Sequence, residues 1–158
     1  MAVLGVGNEL MRDDGVGVHA VRRLQHELDD GRVECIEAGT ALTDALDLVA
    51  PGAHVVVVDA AAGGSTPGSL YRLGLGDLAT PRGVSLHERS LPEAVALAQA
   101  AGASLGQVVV LGVEPAAVDV GTELSPALEQ ALPAILDALR AEIARLLNGH
   151  PRSDHARR

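Results

Sequence analysis

The sequence predicts one α/β domain, a three-layer α/β/α sandwich around a mostly parallel sheet. Three observations carry this. Short apolar runs alternate with stretches of helical periodicity, the pattern that builds βαβ units. Two of those runs, Val55–Val58 and Val108–Val113, are apolar throughout, as strands covered by helices on both faces must be. And 158 residues with 47% apolar content suffice for one core, not two.

The elements follow in order. Ala2–Val6 is a short apolar run closed by Gly7-Asn8, a buried strand leading into a tight turn. Gly17, Ala20, Val21, Leu24 and Leu28 then recur on one helical face, with His19, Arg22, Arg23 and His26 opposite and Gly31 as the stop. Residues 32–37 alternate as a second strand. Thr40 or Thr43 is placed to cap a short helix carrying Leu42, Leu46 and Val49, ended by Pro51-Gly52. The valine run is the central strand and ends at Asp59. After the loop of residues 63–68, Ser69–Leu73 returns antiparallel, because the connection is too short for a crossover helix. Ser90 with Glu93 is a capping box; its helix bears Val95, Leu97, Ala98 and Ala101 and closes at Gly102. Val108–Val113 is the last parallel strand, ended by Glu114-Pro115. Ser125-Pro126 opens the final helix, with Leu128, Leu132, Leu136, Leu139 and Ile143 inward and a kink expected at Pro133. Residues 1–147 are read as a single domain and 148–158 as a polar, disordered tail.

Composition excludes several functions. The net charge is −9 and aromatics are 1% of residues, so neither phosphate contacts nor base-stacking platforms are available for nucleic acid. No run approaches the ~20 apolar residues of a membrane span. Cys35 is the one cysteine, and no leader-like run precedes the first strand; both predict a reducing, cytoplasmic setting. The oligomeric state is not encoded legibly, since the final helix has apolar residues enough for a dimer face or for the core alone.

In open α/β sheets ligands bind beyond the carboxyl ends of the strands. Asn8, Asp13 and Asp14 follow the first strand, Gly39 and Thr40 the second, and Asp59 the central one, while His87 precedes the capped helix. Three loops can therefore gather Asp14, Asp59 and His87. Two carboxylates and an imidazole suit a divalent transition metal and leave coordination positions open. Plainer roles compete. Acids are favoured at a helix start, which accounts best for Asp13 and equally well for Asp14. A lone histidine is more often a surface residue, and Gly39-Thr40 can simply make a turn. Cys35, on an alternating strand, reads as core. Gly5-Val6-Gly7-Asn8-Glu9-Leu10 starts like a dinucleotide fingerprint, but Leu10 stands where the third glycine belongs and the acids that follow would repel a pyrophosphate. The Ser65 region lacks the glycine of a nucleophile elbow.

The segment from Gly5 to Gly17, GVGNELMRDDGVG, resembles the opening signature of the nickel–iron hydrogenase maturation endopeptidases. Glu37-Ala38-Gly39-Thr40, Val58-Asp59-Ala60, Ser85-Leu86-His87 and Gly112-Val113-Glu114-Pro115 are similar to later family blocks, in order and at similar spacing. The likeness runs from the first strand to the final helix. It implies an α/β/α sandwich with a five-stranded sheet carrying one antiparallel strand. It also implies an endopeptidase that removes the C-terminal extension of the hydrogenase large-subunit precursor once nickel has been inserted. By motif position the family's metal-contacting residues fall on Asp14, Asp59 and His87, with Gly7, Asn8, Asp13, Gly39 and Thr40 shaping the turns around them. The nickel arrives in the substrate, and no tightly held metal is expected. Asp14 is one methylene shorter than the glutamate of some members. Two rival readings use the same sequence: a nickel-sensing chaperone that binds the precursor without cutting it, and a nucleotide-binding α/β module.

Overall fold

The computed structural model of the chain describes residues 1–78, 85–86 and 91–149. In order, the elements are β1 (Ala2–Val6), a 3₁₀ turn (Arg12–Gly15), α1 (Val16–Glu27), β2 (Glu34–Gly39), α2 (Leu42–Asp47), β3 (Val55–Ala62), β4 (Leu70–Gly74), α3 (Leu75–Leu78), β5 (Ser85–Leu86), α4 (Leu91–Ala100), β6 (Val108–Val113) and α5 (Pro126–Asn148). The main sheet has the order β2-β1-β3-β6-β4. All its pairings are parallel except β4 on β6, where Leu73 lies opposite Val110. The five-stranded mixed sheet and its single returning strand are those the sequence implies. The two-residue β5 adds a short antiparallel pairing to the far end of β3, at Ala61 and Ala62.

Alternation along the valine run divides the molecule into its layers. Val56 and Val58 face α1 and α5, packing with Val21, Leu24, Leu128, Ile135 and Leu139. Val55 and Val57 face the opposite way, toward Leu42 and Leu46 of α2 and Leu91 and Val95 of α4. With no Phe or Trp to fill space, both layers are built from branched aliphatics and alanine, which requires close approach of helix and strand backbones.

Several boundaries differ from the sequence reading. The first helix ends at Glu27, short of Gly31, because Leu28 turns to extended backbone (φ −98°, ψ 115°) and packs on the core. Neither Thr40 nor Thr43 caps α2. Gly39 takes a left-handed φ of 54°, the helix starts after Ala41, and Thr43 already lies inside it. The central strand does not end at Asp59 but runs to Ala62, since β6 pairs with it through Ala60 and β5 pairs with Ala61 and Ala62. Gly102 does close α4: with φ +101°, it lets Ala103 N–H reach the Ala98 carbonyl (2.9 Å) and Gly102 N–H reach that of Gln99 (3.0 Å). The Ser90 capping position lies outside the described residues. Ser125 caps α5, its side chain accepting from Leu128 N–H at 3.4 Å, and the helix continues through Pro133 to Asn148. No helix among the described residues is long and apolar enough to cross a membrane.

One buried charge fastens β4 to α5. Glu142 accepts from Arg72 Nε and Nη2 at 3.0 Å and from Arg145 Nε at 3.0 Å. Burial would raise its pKa, but the bonds and charges of Arg145 and Arg72 prevail and hold it down to about 2. A carboxyl depressed in the fold stabilises above its ordinary value near 4.5 and loses that contribution as pH falls toward 2. Glu142→Gln is therefore expected to lower the melting temperature by about 3 °C at pH 7, the effect being limited by the solvent exposure of both arginines. Thermal melts should show the gap to wild type closing between pH 4.5 and 2; a gap that does not depend on pH would remove the ion-pair explanation.

Candidate functional site

The carboxyl end of the sheet opens where β1 leaves β3. Their pairing stops at Gly5 opposite Val58, while β3 and β6 stay paired through Asp59 opposite Gly112 and Ala60 opposite Val113. Asp59 lies one residue beyond the last β1 rung. It is 1% exposed and is held by a continuous ladder rather than by a loop, which is more rigid than the sequence reading assumed.

Asp14 reaches the same end by a different route. β1 exits through Gly7 at φ +126°, where a Cβ would stand 1.8 Å from the Asp14 carbonyl oxygen. Only glycine permits that fold-back. Asn8 N–H then donates to Asp14 Oδ2 at 2.8 Å. The Asn8 side-chain oxygen accepts from Leu10 N–H at 3.0 Å, an Asx turn of the kind asparagine favours. The turn is thus wrapped around the Asp14 carboxylate, which is 1% exposed. The 3₁₀ turn carrying Asp14 packs on β3. Immediately afterwards, Gly17 brings the α1 backbone down onto the strand ends: its Cβ position is 2.1 Å from the Val58 carbonyl oxygen and 2.4 Å from that of Val6. The carbonyl that α1 touches belongs to the residue preceding Asp59.

Asp13, next in sequence, has an unrelated task. It is fully buried and spans to the loop between β6 and α5. Its Oδ2 accepts from Ala116 N–H (2.8 Å), Ala117 N–H (2.9 Å) and the Ser125 hydroxyl (2.7 Å), and its Oδ1 from Ser125 N–H (2.7 Å). Burial raises its pKa, but the bonds from Ser125, Ala117 and Ala116 outweigh it and leave the carboxyl below its usual range. Asp13 does sit in the first turn of the 3₁₀ segment, as the sequence suggests, and its carboxylate makes this clamp as well. Glu114, at the end of β6, is a second clamp that sequence reasoning did not single out. It accepts from Gly63 N–H (2.7 Å), Gly64 N–H (3.2 Å) and the Tyr71 hydroxyl. Its pKa, raised by burial, is brought below normal by those donors. An acid directly after an apolar strand marked Asp59; the same signal was available at Glu114.

The remaining turn residues lie at this end too. The Gly39 carbonyl accepts from Gly7 N–H at 2.9 Å, and Thr40 is exposed beside it. Arg22 of α1 ties the opening turn to β2, reaching Glu9 at 2.8 Å and Glu37 at 2.7 Å, and these two carboxylates raise its pKa further. Cys35 is half-buried against the core, where burial pushes its thiol pKa up, unlike an activated nucleophile. His87, the third proposed site residue, lies outside the described residues. Among the described residues no three His, Cys, Asp or Glu side chains gather as a metal-binding group. The structure therefore places Asp14 and Asp59, two buried carboxylates from separate elements, at one end of the sheet. Either can bind a divalent cation or take a proton.

Known proteins resemble this chain in sequence and in fold. A family model described as hydrogenase maturation protease matches residues 18–142. The chain is 35% identical over 145 residues to the hydrogenase expression/formation protein HupD of Thiocapsa roseopersicina, covering 87% of this chain and 65% of that one. It therefore spans just under two thirds of that relative's length. It is 30% identical over 148 residues to the hydrogenase 2 maturation protease of Escherichia coli strain K12, covering 87% and 89%. Among solved structures, the hydrogenase 2 maturation peptidase of a Thaumarchaeota archaeon matches with TM-score 0.66 and 30% identity over 90% of this chain and 96% of that one. The hydrogenase maturating endopeptidase HybD of E. coli matches in fold with TM-score 0.77 and 24% identity, covering 91% of each chain.

Proposed function

Because this chain belongs to the hydrogenase maturation protease family, we propose that it is an endopeptidase that removes the C-terminal extension of a nickel–iron hydrogenase large-subunit precursor after nickel insertion. The observation that supports this most directly is the pair of buried carboxylates, Asp14 and Asp59, fixed by separate backbone devices at the ligand-binding end of the sheet.

The substrate brings the metal. Carboxylate oxygens from Asp14 and Asp59 would, with the imidazole of His87, make a donor set suited to nickel. Engaging the nickel of the precursor would make recognition conditional on its insertion. With no activated serine or cysteine among the described residues of the site, water is taken as the attacking group. One of the two carboxylates would take its proton and return it to the leaving amine as the peptide C–N bond breaks, while the substrate's nickel would anchor the chain and polarise the reacting carbonyl. Asn8 N–H holds one oxygen of Asp14, so the carboxylate presents a fixed face. A cytoplasmic setting belongs to this reading, in keeping with the single cysteine of the chain.

The test is to mix the purified protein with nickel-loaded and nickel-free large-subunit precursor and to weigh the products by intact mass spectrometry. Loss of a C-terminal peptide from the nickel-loaded form alone is expected. Stable binding without any mass change would leave a precursor-binding chaperone instead.

A further inference from the structure

The loops beside Asp14 display apolar side chains to solvent. Leu10 is 64% exposed, Val118 42% and Val120 86%. Leu10 and Val120 are neighbours across a two-loop clasp, and Val118 lies two residues before Val120 in the same loop. Met11 and Gly121 form a parallel bridge, which sets Leu10 beside Val120. Gly121 N–H donates to the Leu10 carbonyl and Arg12 N–H to the Gly121 carbonyl, each at 2.9 Å. Asp13 fastens the same two loops from beneath. Arg12 holds a left-handed φ of 48° within the clasp, a conformation costly for a non-glycine residue. A fully buried carboxylate and a strained residue are thus committed to fixing loops that leave three apolar side chains in water. Such side chains are stabilised only when another apolar surface covers them.

We infer that Leu10, Val118 and Val120 form the surface that seats an apolar, non-acidic stretch of the precursor chain and delivers the adjoining peptide to Asp14. The inference rests on the peptidase reading and names positioning residues for it. Continuity points to the occupant. Leu10 N–H is bonded to the Asn8 side chain, and Asn8 N–H to Asp14, so the surface is joined to the site by two hydrogen bonds. Charge sets its character. Asp119 and Glu123 are exposed at its margin, the nearby Arg12 is already engaged with Asp119 at 3.6 Å, and the whole chain carries −9. An acidic segment would be repelled here, and an apolar one accepted.

The experiment uses the full chain and nickel-loaded large-subunit precursor. It compares wild type with Leu10→Ser/Val120→Ser, Val120→Asp and Val120→Ile. The double serine variant is expected to raise KM about tenfold, with kcat and melting temperature close to wild type. Val120→Asp should raise KM further, and Val120→Ile should leave it unchanged. A wild-type KM in the double variant overturns the inference while leaving the peptidase reading intact. If wild type itself does not shorten the precursor, the peptidase reading fails. Calorimetric titration of the same precursor then decides for the surface: weaker binding by the double variant supports it, and equal or absent binding overturns it.

Discussion

Asp59→Asn is expected to cut the rate of precursor processing by at least about a hundredfold while melting within a few degrees of wild type. The substitution keeps the shape of a side chain that is 1% exposed and embedded in the β3–β6 ladder, so the sheet has no reason to rearrange. What changes is charge: an amide takes up no proton at neutral pH and binds a divalent cation weakly. Asp14→Asn should behave in the same way, since its remaining carbonyl oxygen can still accept from Asn8 N–H. His87→Gln should join them if the donor set holds all three. Intact mass of the nickel-loaded precursor over time, read beside a thermal melt of each variant, separates lost chemistry from lost folding. Processing by any of these at the wild-type rate would remove that residue from the site.

Asp13→Ala is expected to lower stability by about 3 kcal/mol, because several donors aimed at one buried carboxylate lose it together. Asp13→Asn should fall between this variant and wild type: its amide offers one acceptor oxygen and presents N–H groups where donors already point. The effect has a pH signature. The folded carboxyl lies below its ordinary value of 3.8, so its contribution is present above that value and drains away as pH drops through the folded value. Urea denaturation at neutral and acid pH should show wild type and Asp13→Asn converging on the acid side. Equal stability of the two at pH 7 would mean that the clamp does not hold the loops together.

Much of the fold could be read from the sequence, and the reasons are local. Val55–Val58 and Val108–Val113 are buried on both faces and appear as unbroken apolar runs. Gly102 ends its helix because a residue without Cβ takes the left-handed backbone at no steric cost, and Ser125 begins one with its hydroxyl. The strand extension through Ala60–Ala62 was hidden, because alanines carry little strand preference and pairing with β6 and β5 decides the matter. The two-residue β5 and four-residue α3 are too short to show a period. The position of Asp14 and Asp59 at the carboxyl end of the sheet was legible from the apolar runs before them. Asp13 and Asp14 are chemically identical neighbours, and what separates their roles is a loop about a hundred residues away. No local pattern reports that. His87 lies outside the described residues.

The contact of Gly17 with the carbonyls of Val6 and Val58 has a consequence for how such a chain can diverge. No side chain lies between helix and strands at that point, so the separation of Asp14 from Asp59 is a property of main-chain geometry. Aliphatic residues elsewhere in the two cores are free to drift in size and shape, changing how firmly the domain holds together but not the gauge of its cleft. A sequence history could therefore rewrite most of the interior and still inherit the same pair of carboxylates at the same spacing, provided that the glycine stays.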